Sequence, residues 1–387
     1  MIHKPLSLYV HIPFCVKKCR YCDFLSIPFD SVSADRYIEA VSEELRLYCR
    51  NYQWKKPVID TLFFGGGTPS VLSRIQWQRL ADGIRSSITL ADNYEWTIEC
   101  NPDSFSEEKA LTYLETGVNR ITFGVQSLVP GELSIMGRIH SSERVFEVLG
   151  SSVLSGFKSV GVDCIYGLPG QKLNTLHYTL TNLLDLSIIK HLSVYELNIN
   201  EDTPFGRHQK ILPLPDEDLS YEMALEVLQL SKKRGFEQYE ISNFALPGHR
   251  CRHNEIYWNH NNYIGIGIGA HSYIHPLRFA DNNDIITYIR TITEGSLPVK
   301  ECETIDREIL AREIIFLGVR RSDGIDEVEF YNKTGFDFKD YAGSHKLTLL
   351  LDNNLLTRDG RFWKPSEQGL LRADAIARNL IRYENTI

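Results

Sequence analysis

The stretch LSLYVHIPFCVKKCRYC, residues 6–22, combines two signals that together predict the fold. Its first seven residues are mostly apolar and are followed by Pro13, which predicts a short buried strand. Three cysteines, Cys15, Cys19 and Cys22, come directly afterwards. A strand that runs into a loop of reactive side chains is typical of α/β folds, in which sites form where parallel strands end.

The first 200 residues continue this alternation of strands and helices. Further apolar runs of strand length lie at residues 58–67, 94–102, 119–127, 158–169 and 191–199. Segments with apolar residues at helical spacing separate them, the clearest at residues 33–49. Strands that alternate with helices predict right-handed βαβ units and a parallel sheet. The predicted fold class is therefore α/β, a partial (β/α)6 barrel of about six units.

Polar or glycine-rich residues stand at the ends of the predicted strands. GGGTP (65–69), ECNPD (99–103), GVQS (124–127) and DCIYGLP (163–169) follow the second to fifth strands, as the cysteines follow the first. Because the carboxyl ends of parallel strands meet at one edge of a sheet, we expect these five loops to surround one site.

Composition excludes several classes of protein. The chain has 387 residues, of which 43% are hydrophobic and 24% charged, and a net charge of −8, which argues against a nucleic-acid-coating protein. No apolar run reaches the ~18 residues of a membrane span, and no secretory signal opens the chain. Of the eight cysteines, three are clustered and five scattered. This pattern indicates a reducing, cytoplasmic location and a metal or catalytic site rather than a disulfide framework.

The character of the sequence changes after about residue 285. Residues 307–326 and 336–381 are rich in helical patterns, interrupted by the hairpin-like stretch LLTRDGRFWKPS at residues 355–366. Two domains are therefore predicted: a barrel domain over residues 1–285 and a small α-rich, winged-helix-like domain over residues 286–387.

The spacing C-x3-C-x2-C admits two kinds of metal site. A structural zinc ion needs four ligands, usually from two C-x2-C pairs, and no second pair is present; His11 could complete the set, but it lies within the predicted strand. A four-iron four-sulfur (4Fe–4S) cluster normally takes four cysteines. Three thiolates would leave one iron open to a small chelating molecule, and the amino and carboxylate groups of a methionine moiety suit that position.

The cysteine motif, with Tyr21 before its third cysteine, resembles the signature of the radical S-adenosylmethionine (SAM) superfamily. The resemblance implies that the cysteines hold a 4Fe–4S cluster, that its open iron binds SAM, and that the reduced cluster cleaves SAM to a radical. Further positions match the family in order, and the resemblance implies that they contact the cofactors; taken singly, Arg138 could be a surface charge and Asp163 a capping residue. These positions are Tyr9, Tyr21, Gly66, Gly67, Thr68, Glu99, Gln126, Arg138, Asp163 and Leu197.

Over nearly the whole chain, YVHIPFC, FFGGGTP, GVQS and DCIYGLPGQ resemble oxygen-independent coproporphyrinogen III oxidases and their relatives. In that group, true oxidases carry a fourth cysteine two residues after the third and an extra N-terminal arm. Oxidase-like haem chaperones carry Phe at that position, no arm, and an HNxxYW motif. Here Phe24 occupies the position, 14 residues precede Cys15, and HNEIYW spans residues 253–258, which all favours the chaperone branch.

HNEIYW suits haem on chemical grounds as well. Histidine is a common axial ligand of haem iron, and Tyr257 and Trp258 offer flat apolar faces to a porphyrin. His253 is the predicted haem ligand, with Cys251 and His260 as rivals. The alternative is a His–Asn turn packed beneath two core aromatic residues.

Two further stretches bear on these cofactors. Arg250 and Arg252 could pair with haem propionates in a forked geometry, or could be ordinary exposed arginines. GIGIGAHSY, residues 265–273, is predicted to form a last strand near the adenosine end of SAM, although its glycines could serve packing alone.

The sequence thus predicts a haem chaperone that delivers haem to haem-requiring proteins, such as respiratory enzymes, on a radical SAM scaffold. The alternative is a radical SAM enzyme, either coproporphyrinogen III oxidase or one with another substrate. Whether the protein is an enzyme stays open, and coproporphyrinogen III oxidation is not expected. A zinc-stabilised binding module is a third reading. The resemblance also implies a homodimer, and neither nucleic acid nor an integral membrane segment is expected.

Overall fold

The computed structural model describes residues 6–381, and one large sheet dominates it. Within these residues, six strands run parallel and lie side by side in chain order. They are Leu6–Ile12, Val58–Gly66, Thr89–Cys100, Arg120–Gln126, Ser159–Tyr166 and Ile189–Glu196. The predicted α/β fold, a partial (β/α)6 barrel, is confirmed.

Helices connect these strands and pack with them in one core. The main connecting helices are Ser31–Asn51, Arg74–Ser87, Glu107–Thr116, Ser142–Leu149 and Leu173–Leu184, and the helix Glu217–Lys233 follows the sixth strand. Local sequence sets their ends: Ser73 and Gln76 form a reciprocal capping box, and Gly117 ends a helix with a φ of +106°. None of the helices in residues 6–381 is both long and apolar enough to cross a membrane.

Burial on both faces explains why the strands could be recognised. Val10, Phe64 and Ile98 are fully buried on neighbouring strands and pack with helix residues such as Tyr37 and Trp77. Strands of this kind read as nearly continuous apolar runs. In the sheet, Val10 pairs with Phe64 and Phe64 with Ile98, so the loops that follow these strands emerge at one edge.

Shorter strands extend both edges of the parallel sheet. Asn243–Ala245 and Glu237–Gln238 follow the sixth strand, and Tyr263–Ile266, His271–Ile274, Leu277–Asp281 and Val299–Thr304 follow outward from the first. The prediction of one strand over residues 265–273 was wrong. Two antiparallel strands form instead, because Gly267 and Gly269 take positive φ angles of +102° and +63° and turn the chain.

A second, smaller unit has a core of its own, built around buried residues such as Ile315, Phe330 and Trp363. Its helices are Arg307–Gly318, Glu327–Thr334, Phe338–Ala342, Ser344–Asp352, Glu367–Leu370 and Ala373–Leu380. Its strands are Ile325–Asp326, Leu356–Asp359 and Phe362–Pro365, of which the last two form the expected hairpin.

Residues 286–304 pack with the large sheet. Tyr288 and Ile292, on the helix Ile285–Thr293, are part of the main core. Val299–Thr304 is the outermost strand of the large sheet. We therefore place the boundary between the two units near residue 305, later than the position suggested by the sequence.

Candidate functional site

The cysteine loop is closed at its base by a short strand pair. Phe14–Cys15 lies parallel to Ile27–Pro28, so the chain between them returns on itself. Cys15, Cys19 and Cys22 all line one cavity of about 360 Å³ at the carboxyl end of the parallel strands. The loop therefore directs three thiols towards a single space.

The arrangement of these thiols distinguishes the two predicted metal sites. Within residues 6–381, no three His, Cys, Asp or Glu side chains are gathered closely enough to hold one metal ion. A structural zinc ion needs four ligands around one centre. The cysteines of a 4Fe–4S cluster are spread around a larger body, because each binds a different iron. Three thiols on one loop match a 4Fe–4S cluster with one open iron, whereas a structural zinc ion would need a fourth ligand.

Burial and neighbouring groups set the protonation of the thiols. Burial raises the pKa of Cys22 to about 11 and also raises the pKa of Cys15. Arg138 donates a hydrogen bond to Cys19 Sγ at 3.5 Å, and Thr68 Oγ1 lies 3.6 Å from Cys15 Sγ. Such partners stabilise a thiolate, which is the form that binds a metal.

The GGGTP loop approaches the cysteine loop more closely than larger residues would allow. The Gly67 amide donates to the Ile12 carbonyl at 2.8 Å, and a Cβ atom at Gly67 would lie 2.7 Å from the Pro13 carbonyl carbon. Gly66 has a φ of +107°, and a Cβ atom there would overlap the His11 ring. These glycines permit close packing beside the thiols.

Two half-buried carboxyl groups, Glu99 and Asp163, line the cavity from the third and fifth strands. Burial, and then the nearby Asp163, raise the pKa of Glu99 to about 8, although Glu99 Oε2 accepts a hydrogen bond from the Gly66 amide at 3.1 Å. Burial raises the pKa of Asp163 to about 6. A cationic ligand would stabilise both carboxylates, so the pair favours such a ligand.

Arg138 is a half-buried cation that joins the cysteine loop to the strand ends. Its Nη2 donates to Asn101 Oδ1 at 2.8 Å, and Asn101 donates in turn to Thr68 Oγ1 at 3.0 Å. Sequence reasoning missed Asn101 as a site residue, although the Asn-Pro pair that ends the third strand could have indicated it. Tyr195, at the end of the sixth strand, also lines the cavity and was missed.

The structure brings most of the predicted cofactor residues to this cavity. Those that line it with the three cysteines are Tyr21, Gly66, Gly67, Thr68, Glu99, Gln126, Arg138, Asp163 and Leu197. Gln126 ends its strand with a φ of +68°, a conformation uncommon for residues other than glycine. Tyr9 lies deeper in the barrel, where its hydroxyl is 3.0 Å from His11 Nδ1.

His253 lies inside the barrel, apart from that cavity, on the helix Arg252–Trp258. It is 1% exposed. Its Nδ1 is 2.8 Å from Thr61 Oγ1, and its Nε2 is 2.8 Å from the Tyr257 hydroxyl. Thr61 donates onward to Ser7, so Nδ1 carries the proton and Nε2 accepts from Tyr257. Burial lowers the pKa of His253 to about 3, which keeps the ring neutral.

Cys251 and His260, the other predicted haem ligands, also have hydrogen-bond partners. Cys251 Sγ lies 3.6 Å from Glu95, and Glu95 also accepts from the His253 backbone amide at 3.0 Å, at the start of the helix. His260 Nε2 lies 2.5 Å from Glu313. The HNEIYW segment is therefore a capped helix within a hydrogen-bonded network rather than a simple turn.

The two flanking arginines have carboxylate partners. Arg250 is 2.8 Å from Asp323, and Arg252 pairs with Asp60. Both side chains nevertheless line a second cavity, at the other end of the barrel strands.

Comparison with known proteins places the chain in a family. The radical SAM superfamily model matches residues 9–183, and the HemN C-terminal domain model matches residues 305–372. Heme chaperone HemW of Lactococcus lactis is 33% identical over 93% of both chains. HemW of Bacillus subtilis is 36% identical over 85% of this chain and 87% of its own. The chain belongs to the HemW family of heme chaperones.

This family assignment agrees with the likeness of fold. Coproporphyrinogen III oxidase (HemN) from Escherichia coli, a radical SAM enzyme, superposes with a TM-score of 0.85 at 24% identity, covering 98% of this chain and 90% of its own. The HemW-family chain therefore shares the HemN fold along its length. The family predicted from the cysteine motif, Phe24 and HNEIYW is confirmed.

Proposed function

We propose that this protein binds haem and delivers it to haem-requiring proteins. The observation that carries the proposal is the similarity to HemW heme chaperones along almost the whole chain, for example 34% identity to the Escherichia coli protein over 95% of this chain. Phe24 supports the same branch: it is 63% exposed at the rim of the thiol cavity, where the oxidases carry a fourth cysteine. The likeness to HemN concerns the fold, which chaperones and oxidases share.

The cavity residues support binding of a 4Fe–4S cluster and SAM. Cys15, Cys19 and Cys22 would ligate the cluster, which when bound and reduced supplies an electron for radical chemistry on SAM. Glu99 and Asp163 would balance the positive charge of SAM with their carboxylates. The remaining predicted contacts are Tyr9, Tyr21, Gly66, Gly67, Thr68, Gln126, Arg138 and Leu197.

His253 stays a predicted haem-site residue. Ligation of iron through either ring nitrogen would require the hydrogen bond to Thr61 or to Tyr257 to break. Respiratory enzymes as haem acceptors, a cytoplasmic location and a homodimer complete the proposal; the names of the HemW relatives support haem delivery, and the rest follows from the resemblance.

Two assays on one anaerobically reconstituted preparation test this function. We expect tight haem uptake and transfer of haem to an apo-haem protein, with no conversion of coproporphyrinogen III when SAM and a reductant are supplied. Phe24→Cys is a matched variant that introduces the fourth cysteine of the oxidases, and it should keep haem uptake. Sustained production of protoporphyrinogen IX by the wild-type protein would contradict the proposal.

A further inference from the structure

A second cavity, here called the basal cleft, opens at the amino end of the parallel strands. Its volume is about 610 Å³, within the ~300–1,000 Å³ typical of small-molecule and cofactor sites. Tyr94, Arg120, Lys158, Leu246 and His249 are among its walls. Arg120 starts the strand that ends in the thiol cavity, and a strand of this length separates the two cavities by roughly 20 Å.

A tight turn presents His249 to the basal cleft. The His249 amide donates to the Leu246 carbonyl at 3.0 Å, and the turn between them contains Pro247 followed by Gly248 with a φ of +81°. This is the residue pattern of a type II turn. The His249 imidazole makes no hydrogen bond with any part of residues 6–381, so its nitrogens are available to a ligand.

The charges around His249 favour the neutral ring. Burial, followed by the positive charges of Arg120 and Lys190, lowers the pKa of His249. Neutral imidazole is the form that binds iron. In the walls of the cleft, Arg120 and Lys158 would attract an anionic ligand, and Glu95 and Glu237 are the acidic residues beside them.

Arg120 has an unused hydrogen-bond donor beside the cleft. Its side chain is only 5% exposed, and its Nη1 donates to the His249 carbonyl at 3.0 Å while lying 3.8 Å from Glu95. Its Nη2 is buried and meets no acceptor among the described residues. Arg120 also lines the cleft, so its positive charge would pair with a carboxylate that enters the cleft.

The other cavities suit haem less well. The thiol cavity, of about 360 Å³, is where the cluster and SAM are proposed to bind. A third cavity, of about 320 Å³, is lined by His260, but Glu313 already holds that ring at 2.5 Å. His253 has both ring nitrogens hydrogen-bonded inside the barrel.

We propose that the basal cleft is the haem site, with His249 as an axial ligand of the iron and Arg120 and Lys158 as partners of the propionates. This inference rests on the proposed haem-binding function. His253 becomes a positioning residue that anchors the helix beside the cleft, and Glu95 connects that helix to Arg120.

Titration of ferric haem into the full-length protein tests this assignment. His249→Ala should weaken binding at least tenfold and shift the Soret band, and added imidazole should restore the spectrum. His345→Ala, which removes an exposed histidine of the second unit, is the control and should change neither. If the wild-type protein takes up no haem, the proposed function fails. If it binds haem and His249→Ala keeps the same affinity and spectrum, only the basal-cleft assignment fails.

Two further measurements do not depend on the folding of His249→Ala. Lys158→Glu should weaken haem binding several-fold, whereas Lys210→Glu, an exposed control elsewhere, should leave it unchanged. Bound haem should protect His249 of the wild-type protein from modification by diethylpyrocarbonate. Equal modification of His249 with and without haem would overturn the proposal. So would a haem spectrum that changes in His253→Gln and stays as in the wild-type protein in His249→Ala.

Discussion

The two ends of the barrel differ in the charge that the same strands present. At the thiol end, Glu99 and Asp163 are half-buried acids whose pKa values are raised to about 8 and about 6. At the basal end, burial and then the positive charges of Arg120 and Lys190 lower the pKa of His249. A single sheet can therefore favour a cationic ligand at one end and an anionic ligand at the other.

Removal of Cys15 should have the largest effect, and this effect should be confined to the thiol end of the barrel. Because Cys15→Ala leaves only two thiols of the motif, we expect loss of essentially all iron and sulfide after anaerobic reconstitution, measured by metal and sulfide analysis. Haem uptake at the basal cleft should not change. Cys302→Ala, at an exposed cysteine, is the matched control. Retention of the cluster by Cys15→Ala would refute the ligand assignment, and a parallel loss of haem uptake would show that the two ends are coupled.

Substitution of Gly66 should destabilise the protein, because the backbone of this loop has no room for a side chain. In Gly66→Ala the new Cβ would overlap His11 at a φ of +107°. Strain of about 1–2 kcal/mol for the left-handed conformation, and about 1–3 kcal/mol for overpacking, should lower the free energy of unfolding, measured with urea. Gly131→Ala is the control, since its Cβ would meet nothing within 4 Å. Equal stability of the two variants would contradict this account of the loop.

The pKa of Glu99 should make SAM binding depend on pH. A pKa of about 8 keeps the free carboxyl largely protonated at neutral pH, and a cationic ligand favours the carboxylate, so binding below pH 8 must release a proton. SAM affinity should therefore rise with pH by up to about tenfold per unit and level off above pH 8, as measured by calorimetry. Glu99→Gln should flatten the profile. If the SAM affinity of the wild-type protein does not depend on pH, Glu99 is not a SAM contact.

The parallel strands could be predicted closely because burial on both faces leaves a clear apolar run. The strand Leu6–Ile12 coincides with its predicted bounds, and Val58–Gly66 differs by one residue. Thr89–Cys100 begins five residues before its predicted start, because its first part is polar and partly exposed. The thiol cavity could be predicted as well, because its residues directly follow the ends of these strands.

Features that depend on distant partners could not be predicted. Thr61, which holds Nδ1 of His253, lies 192 residues earlier in the chain. The edge strand Val299–Thr304 is exposed along its length and has no apolar pattern, so the sequence alone does not indicate that it belongs to the large sheet. His249 stands outside the HNEIYW motif, and only the folded chain places it beside Arg120.

The hydrogen bonds of His253 have a consequence for proton movement. Tyr257, His253, Thr61 and Ser7 form a column in which every donated hydrogen points the same way. A proton can pass along such a column only if the imidazole briefly holds a second proton, and a pKa of about 3 opposes this. The neutral imidazole therefore hinders proton transfer along this column.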